Sequence, residues 1–131
     1  MKQGTIDYPE MMHQINGLKL IDYPLKITTA GWTTIRAMAH YYQTSGGIWR
    51  LTFNFAGNFG SGILHPSFAI SGIVFKNISG YNQAVSVSND AFTDPCSGQC
   101  LAGSGNIYVS NSAARAYYYV SGDVELDGVP T

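Results

Sequence analysis

The chain has 131 residues and a formal net charge of −1, with 11% charged and 45% hydrophobic residues, so it is sized for one domain with its own core. Its aromatic and β-branched content excludes disorder. The seven Lys and Arg stand singly, without the basic stripe that nucleic-acid binding requires, and no apolar run approaches the roughly 20 residues of a membrane-spanning helix.

Ser, Thr, Asn, Gly and Tyr take the place of the missing charges. Such a surface suits contact with copies of itself or with neutral ligands such as sugars. Residues 1–24 form a lead-in punctuated by proline, in which IDYP occurs at Ile6–Pro9 and again at Ile21–Pro24. The echo fits either the remnant of a repetitive stem or coincidence, and the folded domain is placed at 25–131. The opening MKQGTIDYPEMMHQ has no apolar stretch of the signal-peptide kind, which predicts a soluble chain made in the cytoplasm.

Strands are predicted almost throughout. In GGIWRLTFNFAG the alternation puts Trp49, Leu51, Phe53 and Phe55 on one face and Arg50, Thr52 and Asn54 on the other, the pattern of a half-buried antiparallel strand. WTTIRAMAHYYQ precedes it, and TSGG supplies the positive φ of a tight turn, so residues 32–56 are a predicted hairpin. In SFAISGIVFKN the apolar phase jumps across Ser71 and Gly72, which predicts a β-bulge at Gly72. QAVSVS and NIYVS follow as short strands. AYYYVSGDVEL then turns Tyr118, Val120, Val124 and Leu126 to one side. About eight short strands with Gly and Asn turns, and no segment of helical period, predict an all-β, antiparallel sandwich or jelly-roll-like domain. Residues 57–66 and 89–105 are the predicted long loops, where binding residues usually sit on a β scaffold.

Four candidate sites emerge. Cys96 and Cys100 leave three readings open: half of a metal site, a local disulfide, or free thiols. With His13, His40 and His65 dispersed and unpaired in spacing, no metal or other cofactor is expected. A nucleophile system built on Cys96 or Cys100 with His65 and an Asp lacks any elbow or protease signature around either cysteine. Asp123, Glu125 and Asp127 share a strand face at roughly 7 Å spacing, between the retaining and inverting glycosidase separations. A solvated acidic face is the commoner meaning of that pattern, so no catalytic residue is assigned. These carboxylates are expected to need water, Arg50, Arg115 or a cation beside them. The last group is aromatic: Phe59, Tyr81, Phe92, Tyr117 and Tyr119, flanked by Asn, Asp and Ser. Rings of this kind stack on the apolar face of a sugar; equally, several could pack in the core or against another subunit. The predicted ligand-binding set is Asn58, Phe59, His65, Tyr81, Asn89, Asp90, Phe92 and Asp94.

IDYPLKIT, GWTTIRAMAHYYQTSGGIWRLTFNFAG, FAISGIVFKN and the closing SGDVELDGVPT together resemble the C-terminal tip domain of bacteriophage tail fibres and tailspikes. The resemblance spans about residues 21–131, and the SGDVELD-x-x-PT ending with the WRLTFNF and ISGIVFKN strands is its most specific part. Members tend to continue past the Pro-Thr to a tryptophan, and this sequence stops at Thr131. The resemblance implies a β-rich domain at the distal end of a parallel homotrimeric fibre, joined to an upstream stem and carried on the virion. It also implies contact with a bacterial surface glycan or other receptor, without enzymatic activity and without membrane insertion. A purely structural trimerisation cap, or part of a polysaccharide-degrading tailspike, are the alternatives. Three copies on one tip would raise avidity without stronger single contacts.

Overall fold

The computed structural model describes residues 19–131; the first IDYP copy therefore lies outside the described residues. Eight strands occur in chain order: β1 (Ile21–Asp22), β2 (Thr33–Gln43), β3 (Trp49–Ile63), β4 (Ser67–Ala69), β5 (Gln83–Asn89), β6 (Cys96–Cys100), β7 (Asn106–Asn111) and β8 (Arg115–Glu125). They form one antiparallel sheet in the order β1-β2-β3-β8-β5-β6-β7-β4. The protein is all-β and sandwich-like.

Two seams fold that sheet over on itself. Strand β5 pairs with β6 through Gln83–Val85 and with β8 through Ser86–Asn89, so it turns the corner between the halves, as strands that switch sheets do. At the other side the segment entering the domain pairs with β2 through Ile21 and Asp22. It then bonds to the β4 side, where Thr28 N–H donates to the Ala69 carbonyl at 2.8 Å and Ser71 N–H to Lys26 at 2.9 Å. Ile21 and Asp22, assigned to the lead-in from sequence, thus take part in the sheet. Joining both edges leaves less unpaired backbone exposed.

The inward rows fill the space between the halves. Leu51, Phe53 and Phe55 of β3 meet Tyr118, Val120 and Val124 of β8, with Leu126 just beyond it, and all seven are buried. From the facing half come Phe68, Ile70, Ile73, Phe75, Ile107 and Val109. Phe55 packs edge-on against Phe68 at 5.1 Å and Trp32 at 6.0 Å; truncating such a ring to alanine costs about 3–5 kcal/mol. Gly122 lies opposite Phe53 in the β3–β8 register, and a Cβ there would come 2.8 Å from Val85. Its missing side chain is what lets the phenylalanine in.

The 32–56 hairpin forms, with β2 and β3 in unbroken register from Gln43↔Trp49 to Arg36↔Ala56 and Gly47 at φ 84° in the turn. Three expectations change. Gly72, also at φ 84°, sits in a tight turn after β4 rather than in a bulge: Ile70 and Ile73 both reach the core because the chain reverses between them. The bulge belongs instead to β2, between Thr34 and Arg36. The first predicted loop is largely strand, since β3 continues through residues 57–63, and the second is interrupted by β6 at 96–100, bonded to β5 and β7 on its two sides, with turns before and after it. Gly98 shows why β6 was hidden: it is buried, and a Cβ there would lie 2.5 Å from Val87 and 2.8 Å from Val85. Glycine-rich sequence here means close packing rather than a loop.

Candidate functional site

The outward face of β2, β3, β8 and β5 carries a groove of about 360 Å³, within the range of small-ligand clefts, about 300–1,000 Å³. Its origin is a row of paired residues. Arg36 on β2 faces Ala56 on β3, Ala56 faces Tyr119 on β8, and Tyr119 faces Ser88 on β5. Side chains in such a row stand side by side about 4.8 Å apart, so the methyl of Ala56 between two long side chains leaves a hollow. Gly57 continues the floor; a Cβ at this position would collide with the Thr33 carbonyl oxygen, so β2 and β3 can approach only because it is glycine. The β2 bulge turns Ile35 outward onto the rim, 65% exposed, the use to which bulges beside binding sites are often put.

The opposite wall comes from Tyr117, Tyr119, Asp90 and Phe92. Phe92 is 85% exposed and stands in the turn after β5. That turn is pinned from below: Asp94 N–H donates to the Ala91 carbonyl at 2.8 Å, and Arg115 donates to Asp94 Oδ2 at 2.6 Å. The hydrogen bond from Arg115 to Asp94, with the charges of Asp94 and Asp90, holds the guanidinium pKa above its ordinary value. Beneath the groove a buried amide pair and the Tyr118 hydroxyl tie four strands together. Asn89 donates to Asn111 Oδ1 at 2.9 Å, Asn111 donates to Tyr118 Oη at 2.6 Å, and the Tyr118 hydroxyl donates to the Ile63 carbonyl at 2.7 Å. Burial pushes the Tyr118 phenol up. No buried side-chain polar atom among the described residues lacks a partner, so the groove rests on a satisfied floor.

Of the predicted ligand-binding set, Asn89, Asp90 and Phe92 line the groove, Asn89 through the buried floor, and Tyr117 and Tyr119 join them. The others lie elsewhere. Phe59 points inward, 5.0 Å from Trp32 and 5.7 Å from Phe68, because the period-2 alternation of β3 carries on through it. Asp94 is held by Arg115. Asn58 accepts from the Gly60 N–H at 3.0 Å. His65 stacks on Tyr108 at 6.1 Å, next to β7 on the facing half. Tyr81, 74% exposed, is in the turn that bridges back to Ile78, at the other end of β5. Sequence reasoning missed Ile35, Arg36, Ala56 and Ser88; the hairpin register alone would have put Arg36 opposite Ala56.

Cys96 and Cys100 are free thiols. They stand at the two ends of β6, about 13 Å apart along an extended strand, whereas a disulfide needs Cα atoms within about 7 Å, so the candidate disulfide is excluded. Burial pushes the Cys100 thiol up to about 12. No group of three or more His, Cys, Asp or Glu positioned to hold a metal occurs among the described residues. The acidic row at the far end of β8 meets Arg50: its Nε lies 3.0 Å from Asp123 Oδ1 and its NH1 4.0 Å from Glu125, which also faces Lys76 at 3.9 Å. Asp127 stays exposed. No family model, curated protein or solved structure matches the chain.

Proposed function

We propose that this chain is the non-enzymatic receptor-binding tip of a phage tail fibre or tailspike, which acts as a homotrimer at the distal end of a stem and binds a glycan or other receptor on the bacterial surface. The observation that carries this reading is the outward groove, in which Tyr117, Tyr119 and Phe92 present apolar faces beside the carboxylate of Asp90 on a chain with few charges. Sugars are held by that combination of stacking surface and polar edge. The sequence resemblance to fibre tips supports the biological setting, and the engagement of Asp123 and Glu125 by Arg50 supports a structural rather than catalytic use of the acidic strand.

The test is binding of the purified chain to a panel of bacterial surface oligosaccharides, with Tyr119→Ala and Phe92→Ala as probes. The reading expects both variants to keep the parent unfolding midpoint and to lose about tenfold or more in affinity, since each removes an exposed stacking surface. Retained binding by both would move recognition off the groove.

One further observation favours a structural cap. Among the described residues no strand pairs with the outer edge of β2 over Thr33–Met38, because β1 reaches only Tyr41 and His40. Ile35 and Met38 are exposed along that stretch. An open edge of this kind is a natural seat for a neighbouring copy. Solution mass by light scattering separates the readings: a trimer that binds no glycan leaves only the cap.

A further inference from the structure

We propose that the groove selects sugars bearing a carboxylate, with Arg36 as the group that receives it; this rests on the glycan-binding reading above. Three cations of the described chain, Arg50, Lys76 and Arg115, face carboxylates within 4.0 Å. Arg36 makes no ion pair with any described residue. Its Cζ instead lies 5.6 Å from the centre of the Tyr119 ring, reached across the short side chain of Ala56. A guanidinium laid against an aromatic face keeps its N–H edge free, and that planar fork matches a carboxylate through two parallel hydrogen bonds.

The groove's own carboxylate does not compete for it. Asp90 sits on the opposite wall, and its Oδ1 faces Arg115 Nε at 4.0 Å. The groove therefore has one end where a negative charge is already matched and one end where a positive charge is not. A uronic-acid ring stacked on Tyr119 would lie beside the cation that complements it. A neutral ring would gain only the stacking.

The experiment uses the whole chain and oligosaccharides from hyaluronan, alginate and polygalacturonate, each paired with its carboxyl-reduced form, titrated by calorimetry at low and at physiological salt. Acidic members are expected to bind about tenfold or more tighter than their reduced partners, with the gap narrowing as salt rises. Arg36→Met should erase the gap between acidic and reduced forms while leaving the unfolding midpoint in place; Arg36→Lys should restore part of it. Reduced forms that bind as well as the acidic ones would overturn the proposal and leave the glycan reading standing. An Arg36→Met variant that keeps the acidic preference would overturn it too, by placing the selecting cation elsewhere. Should no saccharide bind while Arg36→Met or Tyr119→Ala lowers the solution mass, the groove is an interface between copies, and both readings fail together.

Discussion

The two ends of the outward sheet face differ in who their polar groups talk to. At the β8 C-terminal end, Arg50, Asp123, Glu125, Lys76 and Tyr42 bind one another: the Tyr42 hydroxyl donates to Asp123 at 3.1 Å, and the Gln83 side chain donates to the Glu125 carbonyl at 2.8 Å while accepting from its N–H at 2.7 Å. At the other end, Tyr117, Tyr119, Phe92 and Arg36 are exposed and point at each other or at solvent. The first end has spent its hydrogen bonds on the fold. The second has kept its stacking surface and its cation available, and places its satisfied polar groups underneath, in the Asn89–Asn111–Tyr118 set. Polar side chains already paired with one another hold the fold; those left unpaired above a satisfied floor stay open to a partner from solution.

The sharpest way to break that contrast is to remove the floor. Asn111→Ala deletes the acceptor for Asn89 and both donors that Asn111 sends to the Ala113 carbonyl and the Tyr118 hydroxyl. The Asn89 amide is then left buried without its partner, for a cost of about 2–4 kcal/mol. Urea unfolding should show that loss together with weakened saccharide binding, although residue 111 does not line the groove. A drop below about 1 kcal/mol would mean that the groove is held by β8 packing alone.

The core beneath the ionic end gives the next effect, and it depends on pH. Cys100 lies opposite Gln83 in the β5–β6 register, and its folded pKa of about 12 compares with an ordinary thiol at 9.0. Because the folded value is the higher one, the unfolded chain loses its proton first. The contribution is complete below about pH 9 and is lost progressively as pH rises toward 12, on the order of a few kcal/mol in all. The Tyr23, Tyr42 and Tyr118 phenols, each raised first by burial, push in the same direction. Unfolding free energies of the parent and of Cys100→Ala should therefore converge between pH 8 and pH 11. Parallel curves would show that the thiol reaches water through local opening.

Much of this fold was legible where alternation was strong. The inward rows of β3 and β8 follow from period 2 alone, and so does the inward position of Phe59, had the pattern of GGIWRLTFNFAG been carried two residues further. Expecting Arg50 among the partners of the acidic strand was likewise enough to anticipate its pairing with Asp123 and Glu125. What stayed hidden is long-range pairing. Nothing local says that β8 lies beside β3, yet only that neighbour relation brings Tyr119 across Ala56 to Arg36. Strand β6 was hidden for a different reason: CSGQC has poor strand propensity, and tertiary packing around Gly98 and the bonds to β5 and β7 override it. The loops were therefore drawn too long, and the site was spread over residues that the fold sends to opposite ends.

The smallest predicted effect tests the ionic end by itself. Asp123 and Arg50 have side chains 51% and 28% exposed, so water screens their attraction, and pairs of this kind contribute at most about 1 kcal/mol. Asp123→Asn keeps a hydrogen-bond acceptor for Tyr42 and Arg50 and removes only the charge. It should cost a few tenths of a kcal/mol at low salt, less at about 1 M salt where the screening length falls to about 3 Å, and it should leave saccharide affinity unchanged. A double-mutant cycle with Arg50→Met isolates the pair from its surroundings. If Asp123→Asn instead abolished binding while the unfolding midpoint held, the acidic strand would belong to the recognition surface. The division of the face into a structural end and a binding end would then give way to a single extended site running the length of β8.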